Sequence, residues 1–276
     1  MDRTVIITGA SDGIGATAAE RLHRSGENVV VIGRSPEKTT AVAGKLGVDH
    51  YVADFADLAQ VRELAAQLLE RYPRIDVLAN NAGGIMSGTR ELTVDGFEKT
   101  FQVNHLAPFL LTTLLLDRLI ESGASVLNTS SVGNRFGHVG ITDLQSTRFY
   151  HPMKAYGDSK LCNILFTAEL HRRYHSAGIS TAAFHPGNVA SNFGGDFWPF
   201  RILYHTPLKN VFLISADKGA DELVWLASSE PGTDWTSGEY YVRHERGRMN
   251  RQASDPVLAQ QLWDRSLDMV TIGGKS

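Results

Sequence analysis

The sequence predicts an α/β fold with one doubly wound, seven-stranded parallel sheet and helices on both faces. Short β-branched runs alternate with longer amphipathic segments, as in repeated strand–helix–strand units. The runs are almost continuously apolar, which is typical of strands covered on both sides. No repeat, low-complexity stretch or Pro/Gly-rich linker divides the 276 residues, so we expect a single domain over 1–276.

The elements follow the chain in order. Seven apolar runs are strand candidates: TVIIT, NVVVI, DHYV, VLAN, SVLNT, STAAF and EYYV. Helical periodicity predicts helices over residues 14–25, 58–71, 97–121, 156–177, 217–227 and 256–270. Residues 191–207, SNFGGDFWPFRILYHTP, break this rhythm with aromatics, glycines and prolines. We expect an excursion over about 190–215 that forms a lid or pocket wall beside an active site.

Charge and hydropathy exclude several kinds of partner. The 27 Lys and Arg balance 30 Asp and Glu without a like-charge block, so we expect neither nucleic acid nor an anionic membrane as a partner. The stretch FLLTTLLLDRLI falls short of the roughly 20 apolar residues that span a bilayer. The N-terminus enters a strand at once and shows no signal peptide, which predicts a cytoplasmic protein. The single Cys162 excludes an internal disulfide. The sequence lacks an H-E-x-x-H motif, so we expect no metal site.

A glycine-rich turn, TGASDGIG at residues 8–15, lies between the first strand and the first helix. Its glycines leave main-chain N–H groups and the positive helix end open to a pyrophosphate. The alternative is tight strand–helix packing without a ligand. As a dinucleotide site, the turn would bind through Gly9, Ser11, Gly13, Ile14 and Gly15.

Arg34 ends the second strand about 20 residues after the turn, where dinucleotide sites distinguish their ribose. No carboxylate stands there to hold a 2′-hydroxyl, and a guanidinium pairs well with a 2′-phosphate, so NADP(H) is preferred and NAD(H) remains open. Asp12, inside the glycine turn, argues against a nearby phosphate. The alternative for Arg34 is a solvated side chain at a strand end.

Tyr156 and Lys160 lie four residues apart in AYGDSK and therefore on one helical face. A neighbouring ammonium favours the phenolate, so Lys160 is expected to lower the pKa of Tyr156 and make it a usable proton donor and acceptor. Hydride transfer at a carbon requires such a group, because the attached oxygen must gain or lose a proton. These residues predict a nicotinamide-dependent oxidoreductase.

Read in order, the motifs resemble the short-chain dehydrogenase/reductase family over essentially the whole chain. They are TGASDGIG, Asp54, NNAG at residues 80–83, Asn104 in FQVNHLAPF, Ser131 in NTSSVG, AYGDSK and HPGNV at residues 185–189. SKLCNILFTAEL and SDPVLAQQLWDRS are similar to the retinol dehydrogenase-like and WW-domain oxidoreductase-like branch, although we expect neither a membrane anchor nor a WW domain.

The resemblance implies a role for each matching residue. Tyr156 would be the general acid/base, Lys160 would lower its pKa and bind the nicotinamide ribose, Ser131 would hold the substrate oxygen, and Asn104 would support a water in a proton relay. The other implied cofactor contacts are Asp54 and Phe55 at the adenine, Asn81, Ala82 and Gly83 at the adenine ribose, and Pro186, Gly187 and Val189 at the nicotinamide.

Other interpretations stay open at several positions. Ser130 and Ser131 could each cap the strand end, and the second Ser of the motif is the one the family uses. Asn104 could be a buried Asn in a bent helix, and His105, His138, His151 and His185 fit structural or pocket positions.

The interval from Ser131 to Tyr156 is long, and its aromatics, with those of 191–207, predict a pocket for an apolar alcohol, aldehyde or ketone. The wall residues would be Phe136, Phe149, Tyr150, Phe193, Phe197, Trp198 and Phe200. A dinucleotide-binding sensor and a nucleotide-sugar-modifying enzyme are the alternative functions. The sequence leaves the oligomeric state open, a homo-oligomer included.

Overall fold

The protein has a mostly parallel sheet between two layers of helices. The structure, a computed structural model, describes residues 3–86, 88–187 and 216–272. The strands are β1 (Thr4–Thr8), β2 (Asn28–Gly33), β3 (His50–Val52), β4 (Val77–Asn80), β5 (Ser125–Thr129), β6 (Ser180–Phe184), β7 (Glu239–Val242) and β8 (Glu245–Arg246). The principal helices are α1 (Gly13–Arg24), α2 (Pro36–Leu46), α3 (Leu58–Arg71), α4 (Lys99–Phe101), α5 (Ala107–Leu114), α6 (Leu116–Ser122), α7 (Pro152–Tyr174), α8 (Ala216–Ser228) and α9 (Pro256–Ile272).

The strand order is β3-β2-β1-β4-β5-β6-β7-β8, and every neighbouring pair is parallel except β7 with β8. The chain turns back between β3 and β4, so the sheet changes winding direction between β1 and β4. A crevice for ligands opens at the carboxyl ends of strands at such a switch point. The predicted doubly wound α/β class is therefore confirmed.

Alternating strand residues supply two cores. Ile6 of β1 packs into the core that α3, α5, α7 and α9 cover, whereas Val5 and Ile7 pack into the core under α1 and α8. All five residues of β1 are buried, as the continuous apolar runs predict.

Over the described ranges the sheet has eight strands, where seven were expected. β8 has only two residues and pairs antiparallel with β7 through a tight turn at Arg243 and His244, whose φ angles are 56° and 62°. Such turns normally use Asn or Gly, so this one carries no sequence signal. The carboxylate of Glu222 accepts the His244 N–H at 3.0 Å, which holds the turn in place.

The helix expected over 97–121 is interrupted twice. A π turn occupies Gln102–Leu106, and α5 and α6 break at Leu115. Pro108 has no N–H for the carbonyl of Asn104 four residues earlier, which explains why the regular α pattern fails there. Within the described residues no single helix is long and apolar enough to cross a membrane; Lys99–Leu114 and Leu116–Ser122 meet that criterion only together, bent by 64°.

Candidate functional site

The junction between β1 and β4 is held by hydrogen bonds around Thr8, each joining a main-chain group to a side chain. The N–H groups of Asn81 and Ala82 both donate to Thr8 Oγ1 at 3.0 Å, and Asn81 Nδ2 donates to the Thr8 carbonyl at 3.0 Å. These bonds fix the NNAG segment against the glycine turn. Thr8 was not singled out from the sequence, because a threonine ending a strand carries no signal of its own.

The glycine turn is shaped by close backbone approach. Gly9 has φ of 66°, and a Cβ there would lie 2.7 Å from the Cα of Ala82. A Cβ on Gly15 would lie 2.4 Å from the carbonyl oxygen of Gly9. Ser11 packs against Gly33 at the end of β2. Side chains at Gly9 and Gly15 would therefore collide with backbone, so these glycines permit the tight turn that leaves the start of α1 open, a geometry that fits the pyrophosphate of a dinucleotide.

Asp12, the acidic residue of the glycine turn, caps a helix and forms an ion pair. Asp12 caps α1 by accepting the Gly13 N–H at 2.8 Å, and the Lys38 ammonium lies 2.9 Å from its carboxylate. Lys38, which the sequence did not single out, thus offsets the charge that argued against a phosphate. Arg34 is exposed and makes no ion pair with any residue in the described part of the chain.

The adenine side is less specific. Asp54 is half-buried and accepts the Ala56 N–H at 2.9 Å, so its carboxylate shapes the local turn. Phe55 packs in the core.

The two adjacent serines after β5 have different surroundings. Ser130 Oγ donates to the carbonyl of Lys160 at 2.7 Å and so ties β5 to α7. Ser131 begins a 3₁₀ turn over Val132–Phe136, where its Oγ accepts the Gly133 N–H at 3.1 Å. Gly133 brings this side chain near Tyr156, because a Cβ on Gly133 would lie 3.4 Å from Ser131 Oγ and 3.1 Å from the Tyr156 ring. Geometry therefore favours Ser131 as the serine that meets a substrate.

Tyr156 and Lys160 are both buried on α7, with the Lys160 Nζ 5.7 Å from the Tyr156 ring centroid. The Lys160 Nζ donates to the Thr129 carbonyl at 2.9 Å. Burial disfavours both charged forms: it raises the pKa of Tyr156 above its ordinary value and lowers the pKa of Lys160 to about 7. The expected net lowering of the Tyr156 pKa is wrong for this state, because burial of the phenol raises its pKa more than its neighbours lower it.

Asn104 lies in the π turn and is fully buried. Its Nδ2 donates to the Gly84 carbonyl and to Ser159 Oγ, both at 2.9 Å, and its Oδ1 accepts the Gly84 N–H at 2.9 Å. A Cβ on Gly83 would lie 2.7 Å from Asn104 Oδ1 and 3.2 Å from Lys160 Nζ. Asn104 therefore places the NNAG segment against the amine of Lys160.

The nicotinamide side is described in part. His185 donates its N–H to the Tyr241 carbonyl at 2.9 Å, and Pro186 and Gly187 follow it half-buried. Val189 and the predicted lid over 191–207 lie outside the described residues, and with them Phe193, Phe197, Trp198 and Phe200.

His105 is a structural histidine. Its Nε2 lies 2.9 Å from Ser266 Oγ of α9, its Nδ1 lies 3.4 Å from Asn163 Oδ1 of α7, and burial lowers its pKa to about 4. The folded protein therefore binds a proton here less readily than the unfolded chain. The stability that neutral His105 provides is complete above pH 6.5 and is lost as the pH falls toward about 4.

We expect His105→Gln to flatten the acid limb of stability, because glutamine offers hydrogen-bonding groups but does not titrate. Between pH 7.5 and pH 5, wild type should lose about 1–2 kcal/mol more unfolding free energy than the variant. Urea unfolding at both pH values measures the difference. Parallel losses would show that His105 is not the titrating group.

Comparison with known proteins identifies the family. A family model described as short chain dehydrogenase matches residues 3–200. The Streptomyces sp. (strain C5) protein named "Putative daunorubicin C-13 ketoreductase DnrU" is 43% identical over 271 residues, covering 96% of this chain and 91% of that protein. Retinol dehydrogenase 13 of Homo sapiens is 37% identical over 287 residues, covering 99% of this chain and 86% of that protein.

A solved structure with a cofactor in its name also resembles this fold. The Pseudomonas aeruginosa RhlG/NADP active-site complex matches with a TM-score of 0.69 and 25% identity, covering 86% of this chain and 93% of that chain. The chain belongs to the short-chain dehydrogenase/reductase family of oxidoreductases, as a retinol dehydrogenase-like member.

Proposed function

We propose that the protein is an NADP(H)-dependent carbonyl reductase or alcohol dehydrogenase for apolar substrates. The observation that carries this proposal is that Ser131 Oγ and the Tyr156 ring both lie against Gly133, with the buried amine of Lys160 5.7 Å from the Tyr156 ring centroid. When bound, the dinucleotide supplies or accepts the hydride. A dinucleotide-binding sensor without turnover would have no chemical need for these three groups.

In this proposal each residue acts at a defined atom. The Tyr156 hydroxyl gives a proton to the substrate oxygen in reduction and takes it back in oxidation. The Ser131 hydroxyl, placed by the Gly133 N–H, donates to the same oxygen as negative charge develops. The Lys160 amine binds the nicotinamide ribose and passes protons onward, and Asn104 holds the NNAG segment beside it.

The ionisation of Tyr156 favours the reductive direction near neutral pH. Reduction needs the neutral phenol, and burial raises the pKa of Tyr156 and so keeps it protonated. Oxidation needs the phenolate, whose population grows as the pH rises. We propose carbonyl reduction as the main activity at neutral pH.

Aromatic side chains next to Tyr156 support an apolar substrate. Phe136 is 54% exposed, and a Cβ on Gly157, the residue after Tyr156, would lie 2.6 Å from its ring. Phe149 is also exposed, whereas Tyr150 lies near Glu98 at the start of α4. Two relatives are named for daunorubicin and retinol, both large organic molecules with apolar rings. We propose a ketone or aldehyde of this general class.

Arg34 tests the choice of cofactor, because a guanidinium pairs two-pronged with a phosphate but gains less from a hydroxyl. Arg34→Ala should weaken NADPH binding by about 1.5–3 kcal/mol, or about ten- to a hundredfold, with much less effect on NADH. Fluorescence titration with both cofactors measures this. Lys45→Ala, which removes an exposed cation of α2 paired with Glu20, is the matched control. Equal weakening of both cofactors would return the choice to NAD(H).

The function itself is tested with purified protein and a panel of aldehydes, ketones and alcohols, followed at 340 nm with each cofactor. We expect NADPH oxidation with apolar carbonyl compounds and slower reverse reaction with their alcohols. Saturable binding of NADPH without turnover on any compound would favour the sensor. A cytoplasmic location, without membrane or nucleic-acid partners, stays a prediction that cell fractionation tests.

A further inference from the structure

A segment before α9 crosses the loop that follows Ser131. We call residues 249–252 the C-terminal strap. The Asn250 N–H donates to Asn134 Oδ1 at 3.0 Å, and Asn250 Nδ2 donates to the Gly137 carbonyl at 2.8 Å. Two further bonds join Gln252 and Val139, from Val139 N to Gln252 Oε1 and from Gln252 Nε2 to the Val139 carbonyl, both at 3.0 Å.

Asn134 connects this strap to Ser131. It has no exposed surface, and its Nδ2 donates to the Ser131 carbonyl at 2.6 Å while its main-chain N–H donates to the same oxygen at 3.0 Å. The main-chain bond alone would close the 3₁₀ turn. The second bond, from a buried side chain whose oxygen is held by the strap, therefore fixes the orientation of the Ser131 peptide.

Tyr240 of β7 lies near both Asn134 and Tyr156, the proposed proton donor. It is buried, and its hydroxyl interacts electrostatically with both Asn134 and Tyr156. The Tyr240 hydroxyl makes no hydrogen bond to Asn134. The Asn134 side chain instead donates to the Ser131 carbonyl and accepts the Asn250 N–H of the strap.

We propose that Asn134 is a positioning residue that sets the Ser131 hydroxyl against Tyr156. The proposal rests on the proposed function of Ser131 and Tyr156. Without the Asn134 amide, the Ser131 peptide is held by one bond instead of two, and the hydroxyl spends less time in line with Tyr156. The loss falls on kcat, because the glycine turn and Arg34 that bind the cofactor are not touched.

Two substitutions at this position separate positioning from folding. Asn134→Ala should lower kcat by about ten- to a hundredfold, the range expected for a misplaced catalytic group, with unchanged NADPH affinity. Asn134→Asp keeps the oxygen for the Asn250 N–H, but its ionised carboxylate cannot donate to the Ser131 carbonyl. Burial raises the pKa of such a carboxyl, and the protonated form regains the donor. Its kcat relative to wild type should therefore rise as the pH falls through the pKa of this carboxyl.

Gln252→Ala is the matched control, since it breaks the contacts of the strap with Val139 but none with Ser131. It should retain most of the wild-type kcat. Wild-type kcat in Asn134→Ala, an equal loss in Gln252→Ala, or a pH-independent deficit in Asn134→Asp would each overturn the positioning role. If Asn134→Ala does not fold, the Asp variant decides alone, with its NADPH affinity as the folding criterion. Ser131→Ala tests the proposed function of Ser131 separately from the positioning role of Asn134. If Ser131→Ala stays active, the proposed function of Ser131 is wrong. If Ser131→Ala is inactive but Asn134→Ala is active, only the positioning role is wrong.

Discussion

Tyr156→Phe should lower turnover by about 10²–10⁴-fold, the contribution of general acid–base catalysis, while NADPH affinity changes little. The ring still packs in its buried position on α7, but the transferable proton is gone. Steady-state kinetics and fluorescence titration of NADPH measure the two quantities. Activity above about a tenth of wild type would remove Tyr156 from the acid/base role.

The pH dependence of wild type gives a second view of the same group. Because burial raises the Tyr156 pKa, reduction should persist well into the alkaline range and oxidation should keep increasing there. Tyr156→Phe should lack this pH-dependent step in its residual activity. An alkaline limb retained by the variant would assign the titration to another residue.

Lys160→Met should abolish turnover and at the same time stabilise the cofactor-free protein. Lys160 is buried, and the folded state lowers its pKa from 10.5 to about 7, which at 1.36 kcal/mol per pKa unit is a cost of several kcal/mol for the protonated form. Replacing a buried charge by an apolar side chain of similar length often stabilises, and we expect a gain of about 1–3 kcal/mol near neutral pH.

The sign of this effect depends on pH. The folded pKa of Lys160 lies below the unfolded value, so the penalty is complete below about pH 7, shrinks as the pH rises and vanishes above pH 10.5. The advantage of Lys160→Met should therefore be larger at pH 6.5 than at pH 9 in urea unfolding. Lys45→Met, at an exposed position, controls for loss of a surface cation. A variant less stable than wild type at both pH values would show that the buried amine supports the fold.

The strand–helix alternation was enough to predict the doubly wound sheet and the glycine turn between its first strand and first helix. Continuous apolar runs such as TVIIT predict strands that are buried on both faces. Because parallel strands have their carboxyl ends at one edge of the sheet, residues 8–15 and 80–83 lie at the same edge. Local chemistry was less informative for α2. Its Ser35 cap, Pro36 and left-handed Gly47 are the usual boundary signals, but PEKTTAVAGKL has a weak apolar stripe and was missed.

Other features depend on tertiary contacts that no local pattern encodes. The roles of Thr8 and Asn134 arise from bonds to residues 73 and 116 positions away. The high pKa of Tyr156 follows from burial, whereas the i, i+4 spacing with Lys160 suggested the opposite direction. Sequence thus predicted which groups meet, and packing determined their ionisation.

The central claim is that a hydride passes between the nicotinamide and a carbonyl carbon with Tyr156 supplying the proton. The most direct test uses NADPH deuterated at C4, with the best ketone of the panel and mass spectrometry of the product. Wild type should place deuterium on the carbinol carbon in step with cofactor oxidation, and Tyr156→Phe should do so at least about 100-fold more slowly. Cofactor binding without deuterium in any product, or equal labelling rates in both proteins, would contradict this account.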